Sequence, residues 1–109
     1  MYVVCRKLYR GGVSTKKLGY RDSDRVTGEL ATYWLTPPGK MPAMIVSIRL
    51  GNGRPGAPLA QLFRAELTGL GDNRIALRGL EKVKTDSGVA WLHQAWVCEL
   101  MHGADTRLR

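Results

Sequence analysis

Two histidines, two cysteines and nine carboxylates supply what acid–base, nucleophilic or metal-binding chemistry this 109-residue chain could perform. An acyl-transfer triad needs a nucleophile, a base and an orienting acid, and no G-x-S-x-G surrounds any serine. His93 stands between Leu92 and Gln94 in an apolar run, where a histidine reads as structural. Cys5, His93, Cys98 and His102 form no C-x-x-C or H-x-x-x-H pair, so the ligand spacing of a zinc site is missing. Gly51-x-Gly53-x-x-Gly56 formally fits a dinucleotide fingerprint. Pro55 and Pro58 prevent the helix that should follow it and hold the pyrophosphate. Asp22 and Asp24 lie among basic residues and read as local salt partners. The sequence predicts neither catalysis nor a cofactor, and no metal.

Positive charge is the remaining chemistry. Seventeen Lys and Arg against nine Asp and Glu give a net charge of +8. Residues 1–26 hold seven of those cations against two acids. The run Arg6-Lys7-Leu8-Tyr9-Arg10 is followed by Lys16-Lys17-Leu18-Gly19-Tyr20-Arg21. Cations neutralise phosphates, and aromatic faces stack on unpaired bases. Arg6, Lys7, Tyr9, Arg10, Lys16, Lys17, Tyr20 and Arg21 are therefore the candidate nucleic-acid-binding residues. No RNA-recognition, KH or zinc-finger signature accompanies them, so the expected binding is backbone-led and weakly sequence-specific. The bland alternative is that the charge serves solubility and that Tyr9 and Tyr20 pack.

Arg21-Asp22-Ser23-Asp24-Arg25 is an R-x-x-x-R ahead of a β-rich segment. It resembles the first half of the cyclic-di-GMP-binding motif of PilZ domains, which are also small barrels. The second half in that family is D/N-x-S-x-x-G on a strand. The nearest stretch here, Ile45-Val46-Ser47-Ile48-Arg49-Leu50-Gly51, lacks the acidic or amide residue. Its Gly lies four residues after Ser rather than three.

The elements that must carry these residues are short strands between strong turns. Residues 2–9, 28–36, 42–50, 74–83 and 89–101 read as strands. Met44, Val46, Ile48 and Leu50 alternate with Ser47 and Arg49, the period of a half-buried strand. Residues 11–25 read as a basic loop, 51–58 as a Gly/Pro loop and 102–109 as a polar, flexible tail. Residues 59–70 are ambiguous. Leu59, Leu62, Phe63, Leu67 and Leu70 fit one helical face, but Gly71-Asp72-Asn73 is a turn that favours a hairpin with 74–83. Gly79 suggests a bulge or bend. One all-β, mainly antiparallel domain of six strands follows over 1–109, a small barrel or sandwich, with a short helix at 59–70 as the variant.

Trp91 and Trp96 have opposite parity, so an unbroken strand sends one indole outside. A bulge near His93-Gln94 or Ala95 would repair this. The expected role for one of the two is a subunit interface, so the nucleic-acid binder is expected as a homodimer; the alternative to nucleic acid is a protein-interaction module or small inhibitor that binds a larger partner through an apolar sheet face or edge. The start Met-Tyr-Val-Val-Cys-Arg-Lys has no basic segment before a long apolar one, and no run is long enough to span a membrane. The expectation is cytoplasmic, with Cys5 and Cys98 reduced and buried, although the ends of a closed sheet often meet and could bridge them.

Overall fold

The computed structural model describes residues 1–12, 25–50 and 58–101. Six strands form a closed antiparallel barrel in sequence order: β1 (Tyr2–Gly11), β2 (Arg25–Leu35), β3 (Ala43–Arg49), β4 (Ala60–Gly71), β5 (Arg74–Thr85) and β6 (Gly88–Leu100). Closure pairs β6 with β1 and leaves the sheet without a free edge strand, the usual solution for a domain this small.

The interior follows the alternation in the sequence. Val3 and Cys5 on β1, Leu30 on β2, Val46 and Ile48 on β3, Leu62 on β4, Leu77 on β5, and Trp96 and Cys98 on β6 are buried against one another. Each large aliphatic among them stabilises the fold by roughly 1.5–3 kcal/mol through burial. Val26, Met44, Ala60, Ile75 and Leu100 pack round this centre. Ile45 and Ser47 are also buried, but on the outer face of β3. There Gln61 Nε2 on β4 donates to Tyr33 Oη on β2 at 2.9 Å, across β3.

Residues 59–70 form no helix. They make β4, and the apolar spacing that suggests a helix is dispersed: Leu62 is buried while Leu59, Leu67 and Leu70 are exposed. The turn decides the matter. Gly71 pairs with Arg74, and Asp72 and Asn73 between them have φ of 54° and 60°, the left-handed pair that a two-residue hairpin turn requires.

The bulge expected at Gly79 lies on the opposite strand. Between Phe63↔Leu80 and Glu66↔Arg78, β4 has Arg64 and Ala65 where β5 has only Gly79. A Cβ at Gly79 would lie 2.7 Å from Leu62 Cβ and 3.2 Å from the Phe63 carbonyl oxygen. Gly79 therefore gives the bulge the room it needs.

The β5–β6 register runs unbroken from Arg74↔Glu99 to Thr85↔Gly88, so no bulge separates Trp91 from Trp96. Trp96 is 3% exposed, inside the barrel, and Trp91 is 46% exposed, outside it. Phe63 meets Trp91 edge to face at 5.5 Å.

The cysteines are not free thiols. Cys5 and Cys98 face each other in the β1–β6 register and form a disulfide. Barrel closure makes the first and last strands neighbours, which sequence distance hides. Of the expected loops, residues 13–24 and 51–57 lie outside the described residues, as does the tail after Met101.

Candidate nucleic-acid interface

Strand β1 divides its own basic residues. Arg6 is exposed on the outer face, while the preceding Cys5 points inward. Lys7 returns to the inner face, opposite Trp96, with its Nζ 5.2 Å from the Trp96 ring centroid. At Leu8 the register with β6 shifts: Lys7↔Trp96 is followed by Tyr9↔Ala95. That extra residue reverses the parity, so Arg10 is placed opposite the inward-facing Gln94 instead of outside.

Lys7 and Arg10 thus belong to one mouth of the barrel, where a hydrogen-bonded chain starts inside and ends at the surface. Trp96 Nε1 donates to Gln94 Oε1 at 2.7 Å, and Gln94 Nε2 donates to Glu81 Oε1 at 2.6 Å. Arg10 Nε donates to the same Glu81 oxygen at 2.7 Å, and Arg10 Nη2 to Glu81 Oε2 at 3.5 Å. Burial pushes the Glu81 carboxyl up. The hydrogen bonds from Arg10 and Gln94, with the charges of Arg10 and Lys7, outweigh it and hold the group below its ordinary value. The hydrogen bond that Arg10 donates to Glu81 in turn raises Arg10. The mouth opens on a cavity of about 610 Å³ whose lining includes Lys7, Gln61, Glu81, Gln94 and Trp96. The Arg10 and Glu81 charges satisfy each other, so the Arg10 guanidinium is committed to the fold.

Tyr9 is half-buried, and its hydroxyl donates to the Gly12 carbonyl at 3.2 Å, which is a packing role. Lys16, Lys17, Tyr20 and Arg21 lie outside the described residues. The structure therefore does not gather Arg6, Lys7, Tyr9 and Arg10 on one surface.

It gathers other arginines instead. Register places Arg6 opposite Arg25, and on the far side of β1 places Arg6 opposite Val97 and Ala76 in turn. One row along lie Val4, Glu99 and Arg74, and on the other side Ala95 and Arg78. All these side chains share the outer face of β2, β1, β6 and β5. Arg6, Arg25, Arg74 and Arg78 are exposed there, over a floor of Val4, Val97, Ala76 and Ala95. A groove of about 370 Å³ includes Arg6, Arg25, Arg74, Val97 and one carboxylate, Glu99. Planar guanidiniums offer forked donors that match phosphate oxygens, and small side chains between them let a strand of nucleic acid approach.

Sequence reading alone left out Arg25, Arg74 and Arg78. The alternation of Arg74, Ala76 and Arg78 marked them as outward-facing, but only the β6–β1 closure brings them beside Arg6. Among the described residues no group of His, Cys, Asp and Glu could hold a metal ion, and no helix is long and apolar enough to cross a membrane. Comparison with known proteins finds no matching family model, no matching curated relative and no matching solved structure.

Proposed function

We propose that this protein binds nucleic acid along the phosphate backbone, through the outer face of β2, β1, β6 and β5. The supporting observation is the groove that joins Arg6, Arg25 and Arg74 from three different strands. Arg78 extends it. Contacts of this kind position a polyanion without reading its bases, so sequence preference is weak.

The test is a titration of single- and double-stranded oligonucleotides over a range of salt concentrations. Each lost phosphate contact lowers the salt slope by about 0.9 on duplex and about 0.7 on single strands. Arg6→Ala, Arg25→Ala and Arg74→Ala together should lower the duplex slope by about 2.7 while the barrel stays folded. Unchanged affinity and slope in that variant would overturn the reading.

Trp91 favours a second reading. An indole 46% exposed beside Phe63 is a suitable centre for a homodimer contact. Light scattering behind size exclusion should show a dimer that Trp91→Ser dissociates. A monomeric wild type rejects it.

A further inference from the structure

The opposite end of the barrel carries a second cleft, built differently. β3 pairs with β2 along its whole length, Ala43 to Arg49, but with β4 only from Val46↔Leu62 to Ile48↔Ala60. Beyond Leu62 the bulge at Arg64 and Ala65 carries β4 away, and the wall parts. A cleft of about 440 Å³ lies there, lined by Trp34, Met41 and Met44, with Lys40 and Arg64 as its cations. That volume is in the range of small-molecule sites, about 300–1,000 Å³. No carboxylate is among the described lining residues.

Two features need an explanation that packing does not supply. Trp34 is 64% exposed and Met41 85%. Trp34 sits opposite Met44 near the end of β2, where the barrel core no longer covers it. Arg64 has a φ of 51°, a left-handed conformation that costs a non-glycine residue energy and is concentrated at functional sites. A turn with Gly39 at φ 72° closes through the Lys40 amide donating to the Pro37 carbonyl at 3.1 Å, which brings Lys40 to the same cleft.

We propose that this cleft takes one unpaired nucleotide, its base stacked on Trp34 and its phosphate held by Arg64 and Lys40. A bare phosphate makes no use of the indole, and a neutral aromatic ring makes none of two cations without a carboxylate. A nucleotide uses both. The proposal rests on the nucleic-acid reading above and adds a preference for single strands, because a paired base has no free face to offer.

The experiment compares an oligothymidylate and a duplex of equal length at fixed salt, with wild type, Trp34→Ala and Arg64→Gly. Glycine adopts the Arg64 conformation without strain, so Arg64→Gly should keep or raise the melting temperature. Each variant should weaken oligothymidylate binding about tenfold, the scale of one base–aromatic stack, and leave duplex affinity unchanged. Wild-type affinity for both ligands in both variants overturns the cleft and leaves the arginine face standing. A wild type that binds neither ligand overturns the nucleic-acid reading and the cleft with it. An acidic, tyrosine-containing peptide that displaces oligothymidylate from wild type and loses affinity in Trp34→Ala overturns the nucleotide assignment in favour of a protein partner.

Discussion

Reducing the Cys5–Cys98 bridge should cost this barrel a large share of its stability. The two cysteines are 93 residues apart in sequence and fully buried, opposite each other on the strands whose pairing closes the barrel. A cross-link of that span removes conformational freedom worth about 4.6 kcal/mol from the unfolded chain on the loop-entropy account. A domain of this size has about 5–15 kcal/mol in total. Urea unfolding with and without reductant measures the difference. A loss of about 4 kcal/mol moves the midpoint by more than about 1 M at the urea slopes of small domains. Reduction leaves both sulfurs in place, so it isolates the cross-link. Cys5→Ala with Cys98→Ala should lose at least as much, since it also removes buried atoms. A difference below about 1 kcal/mol, with the bridge confirmed by mass beforehand, would refute the argument that the β1–β6 seam depends on it. Alkylation at lysis tests the cytoplasmic expectation in the same sample: a bridge found intact places the chain in an oxidising compartment.

Gly79→Ala should destabilise by about 1–3 kcal/mol, since its Cβ would meet Leu62 Cβ at 2.7 Å, and thermal melting checks it. Ile48→Ala should cost about 2–5 kcal/mol by lost burial and a cavity. Ser47→Ala, one residue away, should be neutral or stabilising, because the buried Ser47 hydroxyl has no hydrogen-bond partner among the described residues; a loss above about 1 kcal/mol would contradict that. Glu81 gives a pH dependence. Its carboxyl is held below the ordinary 4.5 of the unfolded chain, so the unfolded state binds more protons and stability falls as pH drops from 4.5 through the folded value. Urea midpoints from pH 7 to pH 3 should fall more steeply for wild type than for Glu81→Gln, and parallel curves would show that the Arg10 and Gln94 contacts do not stabilise the charged form.

The strands were legible wherever alternation ran unbroken. Val46 and Ile48 read as inward residues and are. The outward position of one indole also followed from parity alone, once no bulge intervened. Reading was ambiguous at the Arg64 bulge, though the hairpin was favoured, and failed at the Leu8 irregularity, for one physical reason. An extra residue turns a spacing of two into a spacing of three. Leu62 and Ala65 both enter the core across the Arg64 bulge, and that spacing is also what a helix shows. Lys7 and Arg10 both serve the mouth across the Leu8 irregularity. A contiguous basic run therefore looked like one surface and became two. The arginine groove was illegible and the cysteine bridge only an alternative for a different reason: both depend on which strands become neighbours when the barrel closes.

The kind of cation bears on the proposed phosphate contacts. Lysine and arginine serve solubility alike, and the β5 segment nearest the Thr85 turn does use Lys82 and Lys84. Arg6, Arg25, Arg74 and Arg78 lie on the outer face of β2, β1, β6 and β5, and Lys82 and Lys84 continue that face of β5 toward the Thr85 turn. Arg6 and Arg25 face each other across the β1–β2 pair. Glu99 stands opposite Arg74, one row away, and it is one carboxylate in a groove that includes three guanidiniums. Arginine offers what lysine lacks, a rigid fork that accepts two phosphate oxygens at once and stays charged in any surroundings. On the proposed function the arginines of this face are the side chains suited to a phosphate backbone, and the triple-arginine variant is what tests them.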